Sequence, residues 1–249
     1  MYLDGNVRSL KLQQGIIIDD FLLAEKEKSQ FEIYQEKTKD DVAVMKVKID
    51  DRWYYLGSAY SFAQDFDRLI TKIGDVKDYS ILVLFGFSNG VIIRELLKKM
   101  NQHTRIVVYE PCFELFDFVM TTDDVSDILS DSRLHLYVKG VNGVEIYDFL
   151  NETIDETNYS ISSFEALPQY ARLFKDEYGR IDISFHTIIE QCISDQLTAV
   201  HHGRRDVINA IKNLEYVFNC NVADQFCNKF PGDVPVVIIS AGPSLEKNG

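Results

Sequence analysis

Two glycines that flank three other residues follow an apolar segment at residues 80–85. They are Gly86 and Gly90, with Ser88 between them. Glycine lets a backbone turn tightly and approach a ligand closely, and a helix that starts at Gly90 would offer free N–H groups to an anion. Glu110, at the end of the next apolar segment, could bind ribose hydroxyls. These four residues are therefore candidates for a nucleotide or S-adenosylmethionine site.

A sharp structural turn without a ligand explains the same residues. The spacing is only GxxxG, and many Rossmann-like domains keep such a turn with nothing bound. A methyltransferase usually has an acidic residue just before the first glycine, where this chain has Phe85. The two interpretations both stay open on the sequence.

A second turn of this kind lies near the end of the sequence. Gly242, Pro243 and Ser244 follow a fully apolar segment at residues 234–240. Gly242 could admit a phosphate or a sugar, Pro243 suits the first turn of a helix, and the Ser244 hydroxyl can cap that helix or bind an anion. A strand, a glycine turn and a helix start open a nucleotide-binding βα unit, and we expect a second domain to begin here and to be cut short.

Composition excludes several classes of protein. The net charge of −13 and the pI of about 4.8 argue against a nucleic-acid partner, which would need clustered Lys and Arg. The four cysteines form no CxxC pair, so we expect neither a disulfide framework nor a metal site. No signal peptide and no apolar run of membrane-spanning length stand in the sequence, which predicts a cytoplasmic protein. The cluster of His201 and His202 with Arg204 and Arg205 is interpreted as a solvated helix face.

The order of elements predicts an α/β fold: a Rossmann-like, mostly parallel sheet after a small β-hairpin region and before a long helical linker. A hairpin is expected at 42–56 and a helix from a Ser58 or Ser61 cap to Ile73. Strands are then expected at 80–85, 105–109, 133–138 and 159–164, with helices at 90–100, 112–121, 144–153 and 168–178. One or two long helices follow from 184 to 218, with a break at Gly203.

These elements divide into four predicted regions. Residues 1–75 form the hairpin and helix region, although 1–40 give no clear element, and residues 76–183 form the Rossmann-like domain. Residues 184–233 form a helical connector and linker. Residues 234–249 form the first strand and turn of a truncated nucleotide-sugar-binding domain.

Two stretches resemble a known family. Residues 235–248, PVVIISAGPSLEKN, look like the opening of the 6-hydroxymethylpterin diphosphokinase-like (MptE-like) central domain in motility-associated-factor (Maf) flagellin glycosyltransferases. Residues 82–90, LVLFGFSNG, and residues 108–111, VYEP, resemble the Rossmann-like amino-terminal domain of the same family. The resemblance therefore covers most of the chain from about Val42 onward.

The resemblance implies transfer of a CMP-activated nonulosonic, sialic-acid-like sugar to Ser or Thr of flagellin or another protein acceptor. Gly242, Pro243 and Ser244 would line part of the donor nucleotide's site, and no cofactor is expected within this chain itself. No catalytic residue can be carried over, so the chain alone is expected to be an inactive accessory part. The alternatives are an S-adenosylmethionine-dependent methyltransferase-like domain and a non-enzymatic module that binds flagellin.

Overall fold

The structure, a computed structural model, describes residues 2–11, 31–76, 79–142 and 145–219. The chain divides into two units, Met1–Leu197 and Thr198–Gly249. The strand predicted at 234–240 and the turn with Gly242, Pro243 and Ser244 lie outside the described residues.

Three antiparallel strands, in the order β1-β2-β3, form a small sheet: β1 (Glu32–Lys37), β2 (Ala43–Ile49) and β3 (Arg52–Tyr55). Asp50 and Asp51 make the turn between β2 and β3, both with positive φ, 48° and 61°. Positive φ at both central residues matches the twist of a two-residue hairpin. The predicted hairpin is confirmed, whereas β1 was missed because its polar, largely exposed residues carry no clear apolar alternation.

Two described helices come before the larger sheet in the chain. They are α1 (Leu3–Leu10) and α2 (Phe62–Ile73). The predicted cap of α2 is confirmed at Ser61, whose side chain accepts a hydrogen bond from the Gln64 N–H at 3.4 Å. Such a cap satisfies one of the free N–H groups at a helix start. Phe66 and Leu69 then bury one face of α2 in the core.

Four parallel strands form the larger sheet, in the order β6-β5-β4-β7. The predicted α/β class is confirmed. The strands are β4 (Ile81–Phe85), β5 (Arg105–Glu110), β6 (Leu134–Val138) and β7 (Ser162–Ala166), and the helices that follow them are α3 (Val91–Lys99), α4 (Phe113–Thr122), α5 (Ser126–Leu129) and α6 (Ile146–Thr153).

Burial differs between the central strand β4 and the edge strand β7. All five residues of β4 are buried, as expected for a central strand of a parallel sheet with helices on both faces. The edge strand β7 is only half-buried, and it begins three residues later than predicted, after a 3₁₀ turn at Tyr159–Ile161.

The last described elements are two helices, and their boundaries differ from those predicted. The helix predicted at 168–178 is confirmed in part, because the structure divides it into a one-turn α7 (Tyr170–Leu173) and the start of α8 (Lys175–Asn219). Phe174 interrupts the helix with φ −115° and ψ 50°. The break predicted at Gly203 is wrong, because one glycine costs a helix only about 1 kcal/mol and the flanking residues sustain it.

Within the residues that the structure describes, no helix combines the length and the apolar content needed to cross a bilayer.

Candidate functional site

The turn at residues 86–90 lies where the order of the parallel strands reverses. The chain runs from β4 outward through β5 and β6, and then crosses to the other side of β4 to form β7. In open α/β sheets ligands bind at such a reversal, outside the carboxyl ends of the strands. The turn that follows β4 therefore lines the crevice in which a nucleotide would be expected.

The backbone of this turn has the shape that its glycines predict. Gly86, Ser88 and Gly90 all have positive φ, of 106°, 52° and 75°. The turn delivers Gly90 to the start of α3, as expected from the sequence. A side chain at Gly90 would meet Ile128 Cδ1 at 2.7 Å, so packing against α5 already demands this glycine.

The ring of Tyr170 occupies the space over Gly86. A Cβ atom placed on Gly86 would lie 2.6 to 2.9 Å from three atoms of that ring. Tyr170 is fully buried, with Phe85 edge-on at 6.4 Å and Phe174 at 5.6 Å between ring centroids. The close approach that Gly86 permits is thus made by a side chain of the same protein.

The Tyr170 hydroxyl makes the contacts that a ligand would make. It accepts a hydrogen bond from the Ser88 N–H at 2.9 Å and lies 3.0 Å from Glu110 Oε2, to which it donates. A bound nucleotide would offer a phosphate oxygen to such an N–H and a ribose hydroxyl to such a carboxylate. Tyr170 supplies both an acceptor and a donor with one atom.

Glu110 is fully buried at the centre of this arrangement. Its carboxylate accepts hydrogen bonds from the Phe87 N–H at 2.8 Å and the Cys112 N–H at 2.9 Å, in addition to the one from Tyr170. Burial raises the pKa of Glu110 to about 7, and the hydrogen bonds from the backbone oppose that rise. The group therefore changes its charge near neutral pH inside a closed site.

The structure thus brings together the four residues predicted for this site, Gly86, Ser88 and Gly90 of the turn and Glu110 at the end of β5. The Tyr170 side chain occupies the space where a ligand would lie. The Ser88 hydroxyl points to the small sheet, where its Oγ lies 3.5 Å from the carbonyl oxygen of Leu56. Tyr170 itself was missed by sequence reasoning. The sequence feature that could have indicated Tyr170 is its position a few residues after β7, since β7 and β4 lie on the two sides of the point where the strand order reverses.

A cavity of about 340 Å³ lies beside this crevice, at the carboxyl ends of β5 and β6. Its charged centre is Glu177, which accepts hydrogen bonds from Arg180 at 2.7 Å, from Lys139 at 3.0 Å and from the Tyr109 hydroxyl. Burial acts to raise the pKa of Glu177, but these hydrogen bonds outweigh it and bring the pKa down to about 2. The charged groups at the centre of this cavity are therefore already paired with one another.

Metal chemistry finds no support in the described part of the chain. No group of three or more His, Cys, Asp or Glu side chains is placed there to hold an ion. The described cysteines, Cys112 and Cys192, are both buried, and burial raises the pKa of the Cys112 thiol to about 12. Such a thiol is not a nucleophile at neutral pH.

Comparison with known proteins finds a weak structural likeness and no match to a sequence family. No family model matches the chain, and neither does any curated protein sequence. A solved structure, that of the Maf glycosyltransferase from Magnetospirillum magneticum AMB-1, is similar with a TM-score of 0.38 and 11% identity. The alignment covers 70% of this chain and 34% of that one, so the chain spans about a third of its length. A likeness of this strength assigns neither a family nor an activity.

Proposed function

We propose that this chain is the non-catalytic amino-terminal part of a glycosyltransferase that transfers a CMP-activated nonulosonic sugar to Ser or Thr of flagellin or another protein. The sequence resemblance at residues 82–111 and 235–248 supports this proposal. Gly242, Pro243 and Ser244 would then form one wall of the donor site, and the described unit would be the scaffold that precedes it.

The observation that carries the non-catalytic role is the closed crevice. To seat a nucleoside at the Gly86 turn, the protein would have to expel a fully buried tyrosine. Exposing such a ring costs roughly 2 to 3 kcal/mol, and leaving the Ser88 N–H and Glu110 without that partner adds to it. The contacts of a ligand would have to offset this cost before the ligand bound with any net affinity. The closed crevice therefore favours a scaffold over the alternative methyltransferase-like domain.

Calorimetric titration with S-adenosylmethionine and with CMP tests this role. Neither ligand is expected to give a binding signal with the 249-residue chain. Micromolar binding of S-adenosylmethionine that is weakened by Glu110→Ala, and not by Glu152→Ala at an exposed position of α6, would establish the methyltransferase-like alternative instead. Thermal melting of each variant shows that the fold has been kept.

The outer face of the small sheet favours a second role for the same unit, which is binding of the protein acceptor. Tyr34, Lys46 and Tyr55 lie opposite one another on the three strands. Trp53 extends this row: its ring lies 5.3 Å from that of Tyr34 and 4.9 Å from the Lys46 ammonium. Tyr34 and Trp53 are 53% and 42% exposed. Exposed Tyr and Trp are the side chains on which protein interfaces most depend.

A pull-down with flagellin tests this second role. The double variant Tyr34→Ser/Trp53→Ser is expected to lose most of the captured flagellin, because it removes the two exposed rings without touching the buried face of the sheet. Tyr60→Ser is the matched control, since Tyr60 is an exposed aromatic residue outside the strands. Equal loss with the control, or no capture by the unaltered chain, would refute acceptor binding at this face.

A further inference from the structure

The second half of α8 carries large apolar side chains that are exposed at a regular spacing. Val200, Val207, Ile211, Leu214 and Phe218 are between 47% and 81% exposed. Together with Arg204 they follow one another at intervals of four, three, four, three and four residues. This alternation of three and four is the spacing of the a and d positions of a coiled coil, which face a partner helix.

Among the described helices, α2, α3, α4 and α6 offer no matching face for this stripe. The apolar sides of α2, α3, α4 and α6 are buried in the core of the first unit. Among the described residues, the helix that carries an exposed stripe of the same period is α8 itself. The stripe therefore matches the same segment of a second copy.

We propose that residues 200–218 pair with the same residues of a second copy as an antiparallel coiled coil. A parallel pair would bring Arg204 against Arg204 at the helix interface, where two like charges repel. In an antiparallel pair whose two-fold axis passes at the level of residue 209, each a position of one copy instead lies against a d position of the other. Its layers are Val200 with Phe218, Arg204 with Leu214, and Val207 with Ile211, each occurring twice.

The residues that flank the stripe also match in this antiparallel register. Glu215 of one copy lies beside Leu214 and so reaches Arg204 of the other, with His201 on the same side. Gly203 leaves room for Val217. Ile208 and Ala210 each lie near their own counterpart across the axis. The flanking pairs therefore join either opposite charges or apolar groups, which is the complementarity expected at a two-fold interface.

Sedimentation equilibrium over a range of protein concentrations tests the pairing. The unaltered chain is expected to dimerise, and Ile211→Asp is expected to raise the dissociation constant about 100-fold or more, because each dimer would bury two carboxylates. Asn209→Asp adds the same charge on the opposite side of the helix and is expected to change it less than about twofold. Circular dichroism confirms equal helix content.

Exchange of the charged pair tests the register. Arg204→Glu and Glu215→Arg are each expected to weaken the dimer about tenfold, and the two changes combined in one chain are expected to restore it. A chain that stays monomeric at every concentration overturns the proposal, since the stripe then has another occupant. A dimer that survives Ile211→Asp, or that the combined change does not restore, overturns it equally.

Discussion

Two regions of this protein differ in how far their side chains are covered by the rest of the chain. At the crevice after β4, the polar groups that would bind a ligand are satisfied by Tyr170, and the site is buried. Along residues 200–218 of α8, large apolar side chains are exposed. The first region has completed its interactions inside the chain, whereas the second still has surface to bury. A turn whose sequence fits a nucleotide site is thus filled by a side chain of the same protein.

Among the changes that test this difference between the two regions, Gly86→Ala is expected to have the largest effect on stability. The new methyl group meets the Tyr170 ring at 2.6 Å while the residue keeps a φ of 106°, so the crevice can no longer close. We expect the free energy of unfolding to fall by about 4 kcal/mol, measured by urea denaturation. Gly140→Ala is the control, because Gly140 has φ 80° with no atom within 4 Å of the added Cβ. A loss no greater than that of the control would show that Tyr170 does not fill the space over Gly86.

A pH dependence of stability is the next largest effect. Burial raises the pKa of Glu110 to about 7 from an ordinary value of 4.5. Between these two values the folded protein binds more protons than the unfolded chain, so the contribution of Glu110 to stability falls as the pH rises through this window. The difference in free energy of unfolding between Glu110→Gln and the unaltered chain is expected to change by up to about 3 kcal/mol from pH 4.5 to 7 in favour of the variant.

Glu152→Gln, on the exposed side of α6, provides the reference for this pH series. Its stability is expected to follow that of the unaltered chain at each pH. Parallel curves for Glu110→Gln and the unaltered chain would contradict the closed, buried site.

A smaller loss is expected from Tyr170→Phe, which keeps the ring and removes the hydroxyl. The Ser88 N–H and Glu110 each lose a partner in a buried place, and we expect a loss of about 2 kcal/mol in the free energy of unfolding. Tyr178→Phe is the matched control, since Tyr178 packs on the same Phe85 but is only partly buried. Equal losses in the two variants would mean that the hydroxyl of Tyr170 contributes nothing specific.

The smallest effect is expected from Val207→Ser on α8. At 60% exposure Val207 contributes little to the fold of a single copy. In protein dilute enough to be monomeric, the free energy of unfolding should change by less than about 0.5 kcal/mol, measured by the same denaturation. A loss of several kcal/mol would show that this side of the helix is already covered within one copy.

Local sequence patterns predicted most of the elements on which this comparison rests. The apolar residues of β4 and the alternation of strands and helices gave the parallel sheet, because a buried strand must be apolar on both faces. Gly86 and Gly90 were predicted as the turn residues because few other residues adopt positive φ. The course of α8 through Gly203 does not follow from the local sequence, because a glycine in a helical pattern is equally compatible with a break and with a continuous helix.

The sequence could not show what occupies the crevice. Tyr170 lies 82 residues from Ser88 and 60 from Glu110 along the chain, and no local pattern joins them. Glycine and glutamate at the ends of adjacent strands serve a bound nucleotide and a buried tyrosine equally well. Only the arrangement of β7 beside β4 decides between them.

Amide hydrogen exchange at Ser88 tests the closed crevice most directly, because this N–H donates to the Tyr170 hydroxyl. The account predicts slow exchange in the protein alone, no change on addition of S-adenosylmethionine or CMP, and faster exchange in Tyr170→Phe. Rapid exchange in the protein alone that becomes slow when either ligand is added would contradict it, since the crevice would then be open and the ligand would be its occupant.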